Sequence, residues 1–220
     1  DSGADALVVL TGHNEFLDTM KGAAVVGPLL RIAKRSALLS TLNRALRSSQ
    51  AVVQMQAEGS RISPTPRGSE ARDERVTRHR TNLSEISSMA KAAGIPLFVM
   101  TAPSNLTDWS PTHRRFDWLP SDETYLAVVA AAEKALADGM APAPDLAAML
   151  IDRPEDAYLH YLVGQARLAD GDLAGARKHL TLARDLDLVP RRATSALNDN
   201  IRALAAGSAD VHLIDIVQAL

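Results

Sequence analysis

Two short clusters of polar residues each follow an apolar run of the kind that forms a β-strand. Gly12–Glu15 follows Ala6–Thr11, and Ser104–Asp108 follows Ile95–Thr101. The first cluster carries an imidazole, a carboxamide and a carboxylate, and an imidazole titrates near neutral pH and could serve as a base. Ligands of open α/β sheets bind beyond the carboxyl ends of the strands. The sequence therefore predicts chemistry at these two clusters.

Each cluster also has a purely structural interpretation. Gly12–Glu15 could be a strand-to-helix turn whose polar side chains cap the next segment. The stretch Pro103–Pro111 could be a rigid loop held by Trp109. The residue types alone leave both interpretations open.

Three apolar runs predict the strands of a parallel sheet. Ala6–Thr11 and Ile95–Thr101 are continuous and apolar, which is typical of strands buried on both faces. Val211–Asp215 follows a helix-like stretch and is interpreted as a third strand. Helix, glycine, strand and polar loop in succession indicate an α/β fold with a doubly wound, flavodoxin-like parallel sheet.

Helices and one irregular segment are predicted between these strands. Apolar spacing predicts helices over Pro28–Arg47, over Val76–Ala93, with Gly94 as its stop, and over Thr194–Ala206. From Ala57 to Asp73 the composition shifts to Gly, Ser, Pro and Arg. We expect a surface loop or a partly disordered segment there.

The middle of the chain predicts helix after helix, with no strand between them. Residues 157–189 resemble one tetratricopeptide repeat, in which Gly164 falls where two helices approach closely and Gly171 falls at the turn. One period upstream the match is only partial, so we expect a small bundle of about two helix pairs. The chain is thereby divided into an α/β part (1–121), a tetratricopeptide-like helical insert (122–189) and a return to the α/β part (190–220).

Composition argues against several classes of function. The 220 residues carry a net charge of -2, whereas a nucleic-acid binder is expected to show a basic stripe. The absence of cysteine excludes a disulfide framework, a thiol nucleophile and a Cys-ligated zinc. No apolar run reaches the length of about 18 residues typical of a membrane span. No histidine pair stands at helical ligand spacing with a carboxylate, and no Gly-rich phosphate loop occurs, so we expect no metal or other cofactor.

Leu7–Phe16 resembles the third signature block of the SGNH (GDSL-type) hydrolases, a Gly-x-Asn-Asp/Glu tetrad directly after a buried strand. Ile95–Thr101 with the following Pro103–Pro111, and the repeat-like stretch Ala183–Arg192, resemble a subgroup that joins an SGNH domain to tetratricopeptide-like helices. The resemblance covers most of the chain. It implies an SGNH-type sheet and an ester hydrolase or acyltransferase acting on a small ester, an acylated glycan or a lipid.

The same resemblance implies which residues act. In this family the block's asparagine donates to the oxyanion of the tetrahedral intermediate, and losing one such donor typically raises the barrier by about 3 kcal/mol. Asn14 would be this donor, and Gly12 would allow the tight exit from the strand. His13 would line the pocket rim, because the family's base is a different histidine. Asn105 and Asp108, beyond the neighbouring strand, could contact the substrate.

The nucleophile and the base of such an enzyme are missing from the sequence. The family's serine lies in a Gly-Asp-Ser block and its acid and base lie in an Asp-x-x-His motif, and neither pattern occurs here. The chain begins at Asp1 just before one strand-like run and ends at Leu220 just after another. We therefore expect a fragment that is inactive alone, with a degenerate, non-catalytic SGNH fold as the alternative.

A function of another class also stays open. The helical repeat could recruit a protein partner, with the α/β part as a non-catalytic scaffold. The compartment is not fixed by the sequence, and the resemblance implies a membrane-anchored, extracytoplasmic bacterial protein.

Overall fold

The computed structural model describes residues 5–13, 15–16, 65–112, 122–140 and 145–220. All of them belong to one unit by their mutual contacts, Asp1–Phe16 with Pro64–Leu220. The described part is mixed α/β and mostly helical. Its elements in chain order are β1 (Leu7–Leu10), α1 (Glu70–Ala92), β2 (Leu97–Met100), α2 (Glu123–Ala137), α3 (Asp145–Asp152), α4 (Ala157–Ala169), α5 (Leu173–Leu186), α6 (Ser195–Ala206), β3 (Val211–Ile214) and α7 (Ile216–Ala219).

The three strands form a small parallel sheet in the order β1-β2-β3. Leu7, Leu97 and Val211 stand in register, so their side chains share one face. The predicted strands and their parallel arrangement are confirmed. The predicted helix Pro28–Arg47 and residues 57–64 of the predicted loop Ala57–Asp73 lie outside the described residues.

One face of the sheet packs against α1 and α6. Leu97 and Val99 of β2 form a buried cluster with Leu83 of α1, Ile201 of α6 and Val211 of β3. Burying a side chain of this size stabilises the fold by about 1.5–3 kcal/mol. This cluster packs the three strands against α1 and α6.

The opposite face of the sheet is open at β1, and the prediction that this strand is buried on both faces is wrong. Val8 is 60% exposed and Leu10 is 55% exposed. Side chains alternate across a strand, so both point away from the face that α1 and α6 cover. A second helical layer, which a doubly wound sheet requires, is not among the described residues.

The first helix begins earlier than predicted. Ser69 is its N-cap, with its side chain accepting from the Arg72 amide, so Glu70–Asp73 belong to α1 and not to the predicted loop. The helix ends as predicted, since Gly94 follows it with a φ of 67°. The predicted helix Thr194–Ala206 is also confirmed, with Thr194 as the N-cap and Gly207 as the C-cap.

Helices α2 to α5 fill the middle of the chain, as the sequence predicts. A Cβ at Gly164 of α4 would lie 2.6 Å from the Leu180 Cγ of α5, so the two helices approach as closely as expected there. Gly171 turns the chain between them with a φ of 77°. Tyr125 of α2 and Leu159 of α4 are buried in the cluster that joins the first pair of these helices to the second. None of the described helices is long and apolar enough to cross a bilayer.

Candidate functional site

The carboxyl ends of the three strands meet at one edge of the sheet. β1 continues into Thr11–Gly12, β2 into Thr101–Ala102 and β3 into Asp215. Open α/β sheets bind their ligands beyond this edge. Both polar clusters singled out in the sequence follow strands that end here.

Gly12 leaves β1 in a backbone conformation that L residues rarely adopt. Its φ is 123°, and a Cβ at this position would lie 3.2 Å from the Cβ of Ala193. The Cβ atoms of Ala102 and Leu197 would each be 3.8 Å away. Only glycine fits both the conformation and the close approach to the segment that precedes α6.

His13 is half-buried at the same edge, and its ring is oriented by the backbone. The Ala193 amide donates to its Nδ1 over 3.3 Å. An Nδ1 that accepts a hydrogen bond carries no proton, so the ring of neutral His13 is protonated at Nε2. His13 therefore offers a donor to the site. Asn14 lies outside the described residues.

The two residues that follow Asn14 are held from β1 and from α1. The Thr11 hydroxyl donates to the Glu15 carboxylate over 2.9 Å. Arg75 of α1 donates to the Phe16 carbonyl over 2.7 Å, and the guanidinium carbon of Arg72 lies 5.1 Å from the Phe16 ring centroid. Hydrogen bonds to charged groups contribute about 1.5–3 kcal/mol each. The chain is therefore anchored on both sides of Asn14.

His79 of α1 is buried near this loop. It is 1% exposed, and its Nε2 has no hydrogen-bond partner among the described residues. Burial lowers the pKa of His79, and the negative charge of Glu15 acts in the opposite direction. The stability that depends on neutral His79 is full above the unfolded pKa of about 6.5 and is lost as the pH falls below it.

Asn198 of α6 holds the end of β2. Its side-chain oxygen accepts from the Ala102 amide over 2.8 Å, and its amide group donates to the Ala102 carbonyl over 3.2 Å. Asn198 is buried, and this pair of bonds satisfies both backbone groups of a residue that has left the sheet. It fixes the direction in which the second polar cluster leaves the strand.

The side chains of Asn105 and Asp108 are exposed and are bonded to each other. Asn105 Nδ2 donates to the Asp108 carboxylate over 3.0 Å, and Asn105 Oδ1 accepts from the Asp108 amide over 3.0 Å. Side chains that bond neighbouring backbone groups in this way shape a turn. In this geometry both predicted substrate contacts serve the conformation of their own loop.

The loop after β2 is docked on the helical region. Arg192 donates to the Asn105 carbonyl over 2.7 Å. Tyr161 of α4 donates to the Thr107 carbonyl over 3.0 Å, and Gln165 of the same helix donates to the same oxygen. The helices therefore support one wall of the edge at which the strands end.

Asp215 closes the edge at β3. Arg202 of α6 donates to both of its oxygens over 2.8 and 3.1 Å, and the Thr101 hydroxyl donates over 2.9 Å. These bonds, with the Arg202 bond foremost, hold the pKa of Asp215 at about 2, and the Gln218 amide adds to them. The stabilisation is therefore present above the unfolded pKa of about 3.9 and is lost as the pH falls towards 2. An aspartate in this position links β2, β3 and α6.

The described groups at this edge are mainly hydrogen-bonded side chains and backbone. Among the described residues no serine hydroxyl is hydrogen-bonded to a histidine ring, and Ser104 donates to the Ala193 carbonyl. No group of three or more histidine, aspartate or glutamate side chains in the described ranges could hold a metal ion. The described residues at this edge therefore include the His13 ring and the carboxylates of Glu15 and Asp215.

One pair of titratable residues was not predicted from the sequence. His160 of α4 and His179 of α5 lie with their Nδ1 atoms 3.0 Å apart, although they are 19 positions apart in the chain. No periodicity links two residues on different helices. The repeat-like pairing of residues 157–189 was the signal that could have brought them together.

In comparisons with protein-family models, with curated proteins and with solved structures, nothing matches this chain. Its function has to be inferred from its own residues.

Proposed function

We propose that the chain is part of an SGNH-type ester hydrolase or acyltransferase in which Asn14 stabilises the oxyanion of the tetrahedral intermediate. The nucleophilic serine and the catalytic base belong to parts of the protein that this sequence does not include. The substrate is an ester of a small molecule, a glycan or a lipid, and its acyl carbonyl lies beyond the strand ends.

The observation that carries the proposal is the exit from β1. Gly12–Glu15 follows the strand at the carboxyl edge of a parallel sheet, and Gly12 has a φ of 123° with an added Cβ only 3.2 Å from the Ala193 Cβ. A tetrad in this place is where the resemblance to SGNH hydrolases puts the oxyanion donor. The neighbouring strand ends bring the loop after β2 to the same edge.

Rigid support on either side of Asn14 favours the same function. An oxyanion donor is effective when it is already aimed at the position of the developing charge, because no reorganisation is then needed during the reaction. His13 is bonded to the Ala193 amide, and Phe16 is bonded to Arg75.

The remaining predicted site residues take supporting parts in this proposal. His13 presents its Nε2–H at the rim and could donate to a substrate oxygen. Asn105 and Asp108 shape the loop after β2, which borders the site. Asn14 alone is assigned a contact with the reacting oxygen.

The test uses the full-length protein, including the segments that carry the serine and the base. Asn14→Ala is expected to lower kcat for p-nitrophenyl acetate by about 100- to 1000-fold, with a small change in KM. Asn82→Ala, on the exposed face of α1, is the matched control and should leave kcat unchanged. Unchanged turnover in Asn14→Ala would overturn the oxyanion assignment. The proposal that the protein is an enzyme would be overturned if the intact reading frame contained neither a Gly-Asp-Ser block upstream nor an Asp-x-x-His motif downstream.

The alternative function is a tetratricopeptide-like protein-binding module on a non-catalytic scaffold, and one observation favours it. Helices α2 and α4 line an open groove of about 480 Å³. The groove is lined by aromatic and apolar side chains with two polar ones, namely Glu133, Leu136, Ala137, Tyr158, Tyr161, Leu162, Gln165, Leu168 and Ala169. Amphipathic or extended peptides bind grooves of this composition.

A peptide-display library separates this alternative from the enzyme. Ala169→Arg at the groove rim should weaken binding of any selected peptide, whereas Ala174→Arg, exposed on α5, should not. If no peptide is selected, or if both variants behave alike, the groove is not a binding site.

A further inference from the structure

His160 of α4 and His179 of α5 face each other across the helix hairpin. Their Nδ1 atoms are 3.0 Å apart, and their ring centroids are 5.2 Å apart at an angle of 34°. His160 is only 6% exposed, and His179 is half-buried. The contact is therefore shielded from bulk water on the α4 side.

The surroundings fix where each proton lies. Nε2 of His160 is 3.0 Å from the Pro154 carbonyl, which can only accept, so this nitrogen carries the proton. Nδ1 of neutral His160 then has a free lone pair. The bond between the rings requires that His179 carry its proton on Nδ1 and donate it.

The inter-ring bond depends on how many protons the pair binds. A first added proton can enter at Nε2 of His179 and leaves the inter-ring bond intact. A second proton can enter only at Nδ1 of His160, where it would meet the N–H of His179. Two N–H groups cannot bond, and two like charges at this distance repel each other. The two rings therefore titrate as a coupled pair, and the second step breaks their bond.

Burial is the largest influence on the pair and lowers the pKa of both rings. Lys178 lowers both pKa values further, and Arg167 lowers that of His179. The hydrogen bond to the Pro154 carbonyl and the charge of Asp156 raise the pKa of His160, and the charge of Asp172 raises that of His179. Both aspartates already cap helices through backbone amides, Asp156 for α4 and Asp172 for α5. Their negative charges therefore offset part of the effect of burial, which remains the largest influence on each ring.

We propose that the His160–His179 pair is a proton-operated latch on the α4–α5 hairpin, closed with no or one added proton and opened by the second. The latch is closed near neutral pH. Below the unfolded histidine pKa of about 6.5 the unfolded chain binds more protons than the folded one, so the stability of the hairpin falls as the pH falls.

The test is amide hydrogen exchange in α4 and α5 at about pH 7.5 and about pH 5, corrected for the intrinsic pH dependence, on the 220-residue chain. In the unaltered chain, exchange in these helices is expected to rise by about tenfold at the lower pH. His179→Gln should suppress most of the rise, because an amide can donate to neutral His160 and accept from protonated His160. His212→Gln, an exposed histidine of β3, is the matched control and should keep the rise.

Two outcomes would overturn the latch. One is an increase in amide exchange between about pH 7.5 and about pH 5 that is as large in His179→Gln as in the unaltered chain. The other comes from imidazole ¹⁵N shifts of the unaltered chain at about pH 8, which need no variant. These shifts should show the proton on Nε2 of His160 and on Nδ1 of His179, and the opposite tautomers would exclude the proposed bond.

Discussion

At the residue scale, Gly12 at the edge of the sheet is important because it has no side chain. Gly12→Ala is expected to lower the free energy of unfolding by about 2–6 kcal/mol, because strained backbone and close packing each contribute about 1–3 kcal/mol. Gly68→Ala is the matched control, since Gly68 has a φ of 74° but nothing within 4 Å of an added Cβ. It should cost about 1–2 kcal/mol from the backbone alone. Urea unfolding measures the free energy of unfolding of both variants. Equal decreases would show that Ala193 does not crowd the position of Gly12.

At the residue scale, the sequence predicted which clusters lie at the edge and missed the residues that hold them. Gly12 and Asn105 were found because a polar cluster after an apolar run is a local pattern. Asn198 was not found, because its partner Ala102 is 96 positions away in the chain. Asp215 was noted only as the end of a strand, since its bond to Arg202 requires α6 to pack beside β3. A pattern in a short stretch of sequence cannot predict a hydrogen-bond partner that is distant in the chain.

At the level of elements, the α4–α5 hairpin depends on one close approach. A Cβ at Gly164 would lie 2.6 Å from Leu180 Cγ and 3.1 Å from the Leu180 backbone nitrogen. Gly164→Ala should therefore destabilise the chain by about 1–3 kcal/mol, although alanine is the better helix former. In a Leu180→Ala background the same change should cost much less, because the two Leu180 side-chain atoms that crowd the position are gone and only the backbone nitrogen at 3.1 Å remains. Thermal unfolding of the double-mutant cycle measures the coupling, and additive losses would contradict the close approach.

Helix ends were predicted well where glycine marks them and poorly where polar side chains do. Gly94 follows α1 as expected, and Gly207 is the C-cap of α6 directly after the predicted end at Ala206. The start of α1 was missed because its first turn contains Arg72, which is buried but points its charge at the carbonyls of Thr65, Asp185 and Asp187. Such a turn has no apolar periodicity, so a pattern of hydrophobic residues cannot reveal it.

At the scale of the whole molecule, the sheet is held from one side in the part that the structure describes. Val8 and Val99 are both apolar strand residues, yet Val8 is 60% exposed and Val99 is 1% exposed. This difference could not be predicted from the sequence, because a continuous apolar run has the same pattern whether one face of the strand or both are covered. Threonine has nearly the shape of valine and a similar preference for strands, so Val→Thr isolates burial from shape.

Val8→Thr is therefore expected to change the free energy of unfolding by less than about 0.5 kcal/mol, as for other exposed positions. Val99→Thr should cost about 1–3 kcal/mol, because it buries a hydroxyl among apolar neighbours. Urea unfolding of the 220-residue chain compares the two variants. A loss in Val8→Thr as large as that in Val99→Thr would show that the outer face of β1 is covered in solution. The sheet would then carry the second layer that a doubly wound fold requires.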